Sequence, residues 1–202
     1  MIEWINFISL FVSIVLFCYL YTISLQPKKR SKKRGEKAWK ECAIFRSVAG
    51  LFEFVITANV ILWIWFPIPQ LNFLISQNWW IVIIIGLAIS VPGIIVMVKG
   101  MVDAGSETAK PSEETEMYKG VYRYIRHPQS LGEFPIFVAL GFFINSWTIV
   151  IIMSLFIIIY VPIMIHYEEK DLIRRFGEKY REYQKNTGAL FPKISSLRSN
   201  KD

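Results

Sequence analysis

Two short clusters, about forty residues apart, hold the residue types that could do chemistry. Arg126-His127-Pro128 follows the polar, aromatic run Gly120-Val-Tyr-Arg-Tyr-Ile125 and contains one of only two histidines in the 202-residue chain. Glu168-Glu169 closes the last long apolar run, with His166, the other histidine, just before it. Proline is favoured at the first position of a helix, so a helix is expected to start at Pro128. Its first N–H groups, near Gln129, Ser130 and Leu131, would then form an anion site suited to a carboxylate or a phosphate. Arg126 and His127 add donors at the same end. A carboxylate at Glu168 or Glu169 can accept two hydroxyls, such as those of a ribose. The simpler readings are a helix start with an interfacial Arg and His, and a solvated helix face.

The elements that must position these clusters are helices in a membrane. Of the residues, 53% are hydrophobic and the mean hydropathy is +0.38. Five apolar segments stand out, at about 4–25, 43–66, 79–98, 130–144 and 147–165. A hydrocarbon core of ~30 Å needs roughly 20 residues of helix. The first three and the fifth meet that. The fourth is short and is joined to the fifth by Asn145-Ser146 alone, which predicts a tight helical hairpin. The expected fold is all-α: five transmembrane helices, the last two a hairpin, and a cytosolic C-terminal helix, in one domain spanning 1–202. The first segment lacks a positive leader and a small-residue cleavage site, so it is expected to be retained.

Charge predicts the orientation. Of the 23 Lys and Arg, eight lie in residues 28–40, five in 99–126 and nine in 170–201, with Arg46 the last. Residues 1–3, 67–78 and 145–146 have none. By the positive-inside rule the N-terminus is outside and the C-terminus and both chemical clusters are cytosolic. The run Lys28-Lys-Arg-Ser-Lys-Lys-Arg34 is therefore a topology determinant that attracts anionic lipid, and a nucleic-acid partner is not expected.

Other residues have plainer readings. Trp4, Trp79, Trp80 and Trp147 sit at predicted boundaries, as an aromatic belt requires. Cys18 and Cys42 fit no metal spacing and read as small apolar residues. Gly86, Gly93 and Gly100 recur every seven residues on one face, which predicts close helix packing. Glu133, one turn inside the fourth segment, and Glu53, roughly 15 Å into the second, are ionisable groups at membrane depth and so functional candidates. Arg46, seven residues before Glu53 on the same face, is an expected partner within the bundle. Leu172, Phe176, Tyr180 and Tyr183 form a helical stripe that would pack on the protein or the membrane surface.

The ordered set Gly120-Val-Tyr122, Arg126-His-Pro128, Glu168-Glu169, Phe176-Gly-Glu-Lys-Tyr180, Tyr183 and Phe191-Pro192 resembles the isoprenylcysteine carboxyl methyltransferase and phospholipid methyltransferase superfamily. The resemblance covers about 114–192. It implies S-adenosylmethionine as cofactor, contacted by Glu114, Thr115, Glu116, Met117, Tyr122, His127, Pro128, Gln129, Ser130 and Glu168. Arg126, Glu169 and His166 are the remaining candidates for catalytic work, and no metal is expected. The acceptor would be lipophilic, a carboxylate, amine or thiol arriving through a gap between helices, with membrane lipids as the surroundings. Methyl transfer from a sulfonium is an in-line displacement that rests mainly on positioning.

Two positions depart from the pattern. Ser130 stands where the family often has an aromatic residue. Met164 stands where the prenylcysteine enzymes carry a substrate-binding Arg, four residues before the cofactor Glu; His166 is a possible local replacement. The runner-up reading is a nicotinamide-dependent membrane reductase related to the sterol reductases, towards which Gly132-Glu133 leans. A non-catalytic lipid-binding membrane protein is the third. The oligomeric state is not legible.

Overall fold

Each expected apolar run forms a helix. The computed structural model describes residues 1–112 and 119–193, and among them every regular element is helical. Seven α-helices follow in order: α1 (Ile2–Ser24), α2 (Pro27–Arg34), α3 (Lys37–Leu62), α4 (Trp79–Ala104), α5 (Pro128–Phe143), α6 (Trp147–Phe176) and α7 (Glu178–Asn186). Four are long and apolar enough to cross a membrane: α1, α3, α4 with its 3₁₀ extension to Thr108, and α6. With 16 residues, α5 is shorter, about 24 Å at 1.5 Å per residue. Large apolar side chains, among them Ile8, Leu51, Phe54, Ile84, Ile95 and Ile158, stand exposed on the outside of the bundle. Helices that are apolar all round need an apolar surrounding, and the chain is a multi-pass membrane protein.

Two pairings build the bundle: α1 packs along α3, and α5 packs between α4 and α6. Polar contacts join the first pair. Asn6 Nδ2 donates to the Asn59 carbonyl at 3.1 Å, and Asn59 Nδ2 donates to Ser9 Oγ at 3.2 Å. Aromatic rings tie α1 and α5 to α6. Phe17 and Phe134 meet Phe156 edge-on, and Phe156 stacks on Tyr160 with centroids 5.7 Å apart.

The glycine repeat of α4 does the expected packing. Gly93 lies so close to α5 that a Cβ there would sit 2.7 Å from the Gly132 carbonyl oxygen, and one at Gly100 would sit 3.1 Å from Pro128 Cγ. The backbones therefore approach as small-residue helix faces allow, and this seats the start of α5 on the end of α4. Gly93→Ala is expected to cost about 1–3 kcal/mol through overpacking, read as a lower Tm in detergent. Gly50→Ala in α3 is the control, because nothing lies within 4 Å of its added atom.

The α5–α6 hairpin turns at Asn145-Ser146. Asn145 adopts φ 56°, a left-handed conformation that asparagine tolerates. Its Oδ1 accepts from the backbone N–H of Ile75 and Ser76 at 3.0 and 3.1 Å, which pins the α3–α4 loop to the hairpin.

Helix runs past the apolar segments at three places. The α6 helix runs to Phe176, well beyond the apolar run that ends near 165. The bilayer limits the apolar run, whereas the helix stops only at Gly177, with φ 61°. Likewise α3 begins at Lys37, inside the basic region. The run 28–34 is a helix rather than a bare charge cluster. Pro27 opens it, and the buried Asp171 carboxylate of α6 accepts from its first N–H groups, Lys28 and Lys29, at 3.0 and 2.8 Å. A carboxylate at a helix N-terminus meets both the orphan donors and the helix dipole. The basic run 28–40, the start of α5 and the ends of α4 and α6 all meet at this end of the bundle.

Candidate active site

A short 3₁₀ turn, Gly120–Arg123, delivers the first cluster. Gly120 has φ 64°, and Asp103 on α4 accepts from the Val121 N–H at 2.8 Å. The turn buries Tyr122, whose hydroxyl accepts from Gln129 Nε2 at 2.9 Å. Burial pushes the Tyr122 phenol above its ordinary pKa, so it stays neutral. The next residues are tied to the chain's far end. Arg126 N–H donates to the Gly188 carbonyl at 2.9 Å and His127 N–H to the Ala189 carbonyl at 3.0 Å. His127 then caps α5, which starts at Pro128 as expected.

The second cluster faces the first across the hairpin. His127 Nδ1 lies 3.0 Å from Glu168 Oε2, and its Nε2 lies 3.0 Å from Glu169 Oε1. Arg126 Nε donates to the same Glu169 oxygen at 2.7 Å. Its Nη1 donates to the carbonyls of Gln184, at 3.2 Å, and Thr187. Gln184 Nε2 completes Glu169 at 2.8 Å. An imidazole with a carboxylate on each nitrogen must donate from both, and is therefore an imidazolium.

His127 is 5% exposed. Burial opposes its charge, but the hydrogen bonds and charges of Glu168 and Glu169 outweigh burial and hold it up at about 9, against an ordinary 6.5. A raised folded pKa adds stability that is complete below about 6.5 and is lost as pH rises through about 9. Stability is therefore expected to fall between these values, by on the order of 3 kcal/mol at most, read as a falling Tm. His127→Asn should flatten that slope.

These groups border a small cavity of about 60 Å³ that opens towards solvent. Tyr122, Arg126, His127, Gln129, Ser130 and Glu168 all line it. Among the expected site residues, then, the structure gathers those six. Pro128 lies just behind, buried at the helix start. Glu169 stands behind His127 and Arg126 as their shared anion. Glu114, Thr115, Glu116 and Met117 lie outside the described residues. His166 is not brought in: it is exposed, edge-on to Tyr167, so a catalytic role for it has no support in this geometry. Met164 is 1% exposed in the core, with Ser130 Oγ 3.8 Å from its sulfur.

Several cavity residues escaped the sequence reading. Tyr21 of α1, Arg46 of α3, and Glu107 and Arg175, paired at 2.7 Å, all line it. Arg175 also lies over the Trp39 and Phe176 rings. The spacing Glu168, Leu172, Arg175 was a usable signal, because positions i, i+4 and i+7 share one helix face. The aromatic stripe packs on the protein: Tyr180 is 3% exposed and lines the cavity with Tyr183. Arg46 does not pair with Glu53. Glu53 faces Glu133 on α5 instead, and Arg46 Nη1 donates to the carbonyls of Glu107 and Thr108 at 2.8 and 3.0 Å.

The sequence profile of the phospholipid methyltransferase family matches residues 81–179, which include both clusters. Over these residues, just under half of the chain, the sequence is similar to that family. The superfamily expected from Arg126-His-Pro128 and Glu168-Glu169 is thus the one found. Two curated relatives are methanethiol S-methyltransferase of Pseudomonas deceptionensis, 38% identical over 94 residues, and methanethiol S-methyltransferase 1 of Bradyrhizobium diazoefficiens, 29% identical over 94 residues. The matches cover 46% and 44% of this chain but only 33% and 29% of the relatives. The chain therefore spans about a third of the length of these curated relatives. The family match takes in α5, α6 and nearly all of α4, with both clusters, whereas Tyr21 and Arg46 reach the cavity from α1 and α3, outside it.

Proposed function

We propose that the chain is an S-adenosylmethionine-dependent methyltransferase that acts on a lipophilic acceptor at the cytosolic face of a membrane. The observation that carries this reading is the shared cavity: the Arg126-His-Pro128 and Glu168-Glu169 clusters of a methyltransferase family meet there. Its donor set suits that cofactor. A carboxylate at Glu168 can accept the ribose hydroxyls. Tyr122 offers an aromatic face, which attracts a sulfonium. The first turn of α5 and the cationic side chains suit a carboxylate. The cofactor supplies an activated methyl group; the residues bind, orient and exclude water. Arg126 and Glu169 act as positioning residues that hold His127 in place.

The same reading has five crossings, with the short α5 as the fourth, the N-terminus outside and the cavity cytosolic. The clustering of the basic runs at the cavity end supports it. An apolar groove between α1 and α6, lined by Val15, Phe156, Ile159 and Tyr160 among others, opens on the outside of the bundle and offers a lipophilic acceptor a route. Burial of Met164 in place of an arginine argues against a prenylcysteine carboxylate held from that position. The relatives' names favour a thiol as the nucleophile.

Purified protein in detergent is expected to bind S-adenosylmethionine saturably and NADPH not at all. Binding of NADPH alone would overturn this reading in favour of a reductase, and binding of neither in favour of a non-catalytic lipid-binding protein.

A further inference from the structure

Three arginines line the cavity, and two carry their own counterion. Arg126 has Glu169 at 2.7 Å and Arg175 has Glu107 at 2.7 Å. Among the described residues, Arg46 has no carboxylate within ion-pair distance. Its Nη1 is occupied by two backbone carbonyls, while its Nε is buried without a partner. Buried Nε atoms of Arg30 and Arg175 share that condition, but each of those guanidiniums is neutralised, Arg30 by Glu41 at 3.1 Å. Glu168 lies near enough to feel the Arg46 charge, but its Oε2 is on His127 and neither oxygen reaches the guanidinium. Glu53 faces Glu133 instead. Arg46 is half-buried, and a cation at a cavity wall without a directly paired carboxylate is poorly compensated; its buried Nε without a partner calls for an explanation. A guanidinium presents a planar fork that matches carboxylate and phosphate geometry.

We propose that Arg46 is an anion-binding residue of this cavity, whose guanidinium takes a carboxylate or phosphate of a bound ligand. The inference rests on the methyltransferase reading for one source of that anion, the amino-acid carboxylate of the methyl donor. The other source is an anionic group on the acceptor. In the second case α3 supplies the acceptor-binding cation that α6 lacks at Met164.

Calorimetric titration of the full chain in detergent separates the sources. The probes are S-adenosylhomocysteine, 5′-methylthioadenosine, which lacks the carboxylate, and decyl phosphate in the presence of saturating 5′-methylthioadenosine. If the donor's carboxylate is the ligand, Arg46→Met weakens S-adenosylhomocysteine by about 10- to 100-fold, the range of a charge-assisted hydrogen bond. It leaves 5′-methylthioadenosine unchanged. If the anion comes from the acceptor, Arg46→Met spares both nucleosides and loses decyl phosphate. Arg46→Lys keeps the charge without the fork and should bind the affected probe with intermediate affinity; it also serves if the Met variant does not fold. Binding of all three probes by Arg46→Met as by the wild type overturns the proposal. Wild-type protein that binds neither nucleoside overturns the donor reading instead, and the decyl phosphate comparison then still tests Arg46.

Discussion

Glu168→Ala is expected to weaken S-adenosylmethionine binding by about 10- to 100-fold, the loss of one or two hydrogen bonds to a charged acceptor. Glu168 has one oxygen on His127 Nδ1 and keeps 31% of its side-chain surface accessible at the cavity. It is thus the carboxylate placed to meet a ligand, whereas Glu169 is consumed by Arg126, His127 and Gln184. The same substitution removes one of the two anions that hold the His127 imidazolium. The alkaline limb of the stability profile should therefore move to lower pH, while the bundle still folds. Glu168→Gln retains a hydrogen-bond partner without the charge and should fall between. Wild-type affinity in Glu168→Ala would remove Glu168 from the ligand site.

Arg126→Ala is expected to be the most destabilising single change near the cavity, by about 3–5 kcal/mol, as for loss of one partner of a buried ion pair. The side chains of Arg126 and Glu169 are only 10% and 14% exposed. Removing the guanidinium leaves Glu169 with less charge compensation and strips a donor from the carbonyls of Gln184 and Thr187. The connection between α5 and the chain beyond α7 should loosen. Limited proteolysis is expected to cut near 184–189 in the variant before the helices unfold. Arg126→Lys should rescue little, because one ammonium cannot serve a carboxylate and two carbonyls in the fork's geometry. A wild-type Tm and an unaltered cleavage pattern would show that the pair contributes nothing.

The bundle was legible in the chain for simple physical reasons. Hydrocarbon demands long apolar runs, so their positions can be read directly, and the two-residue hairpin at Asn145-Ser146 followed from the absence of room for a loop. The heptad of glycines announced the α4–α5 contact because only a missing Cβ permits it. The partners of polar side chains were less legible. Arg46 and Glu53 share a helix face, but seven residues are roughly 10 Å of axis, and each met a different neighbour. His166 looked close to the glutamates in sequence. At about 100° per residue, however, two positions turn His166 almost to the opposite side of α6 from Glu168. The Asp171 cap on α2 joins residues more than 140 apart and leaves no local trace.

The pairing of Ile125 with Gly188 gives the cavity a place in the order of folding. Arg126 and His127 are fastened to Gly188 and Ala189 only after the chain has passed through α5, α6 and α7. Closing so long a loop is entropically costly until the intervening hairpin has formed and drawn the ends together. During synthesis the long apolar helices can be in place while the cavity is still open on one side. A chain that ends before residue 188 would keep every helix of the bundle and lack the wall that makes a pocket of it.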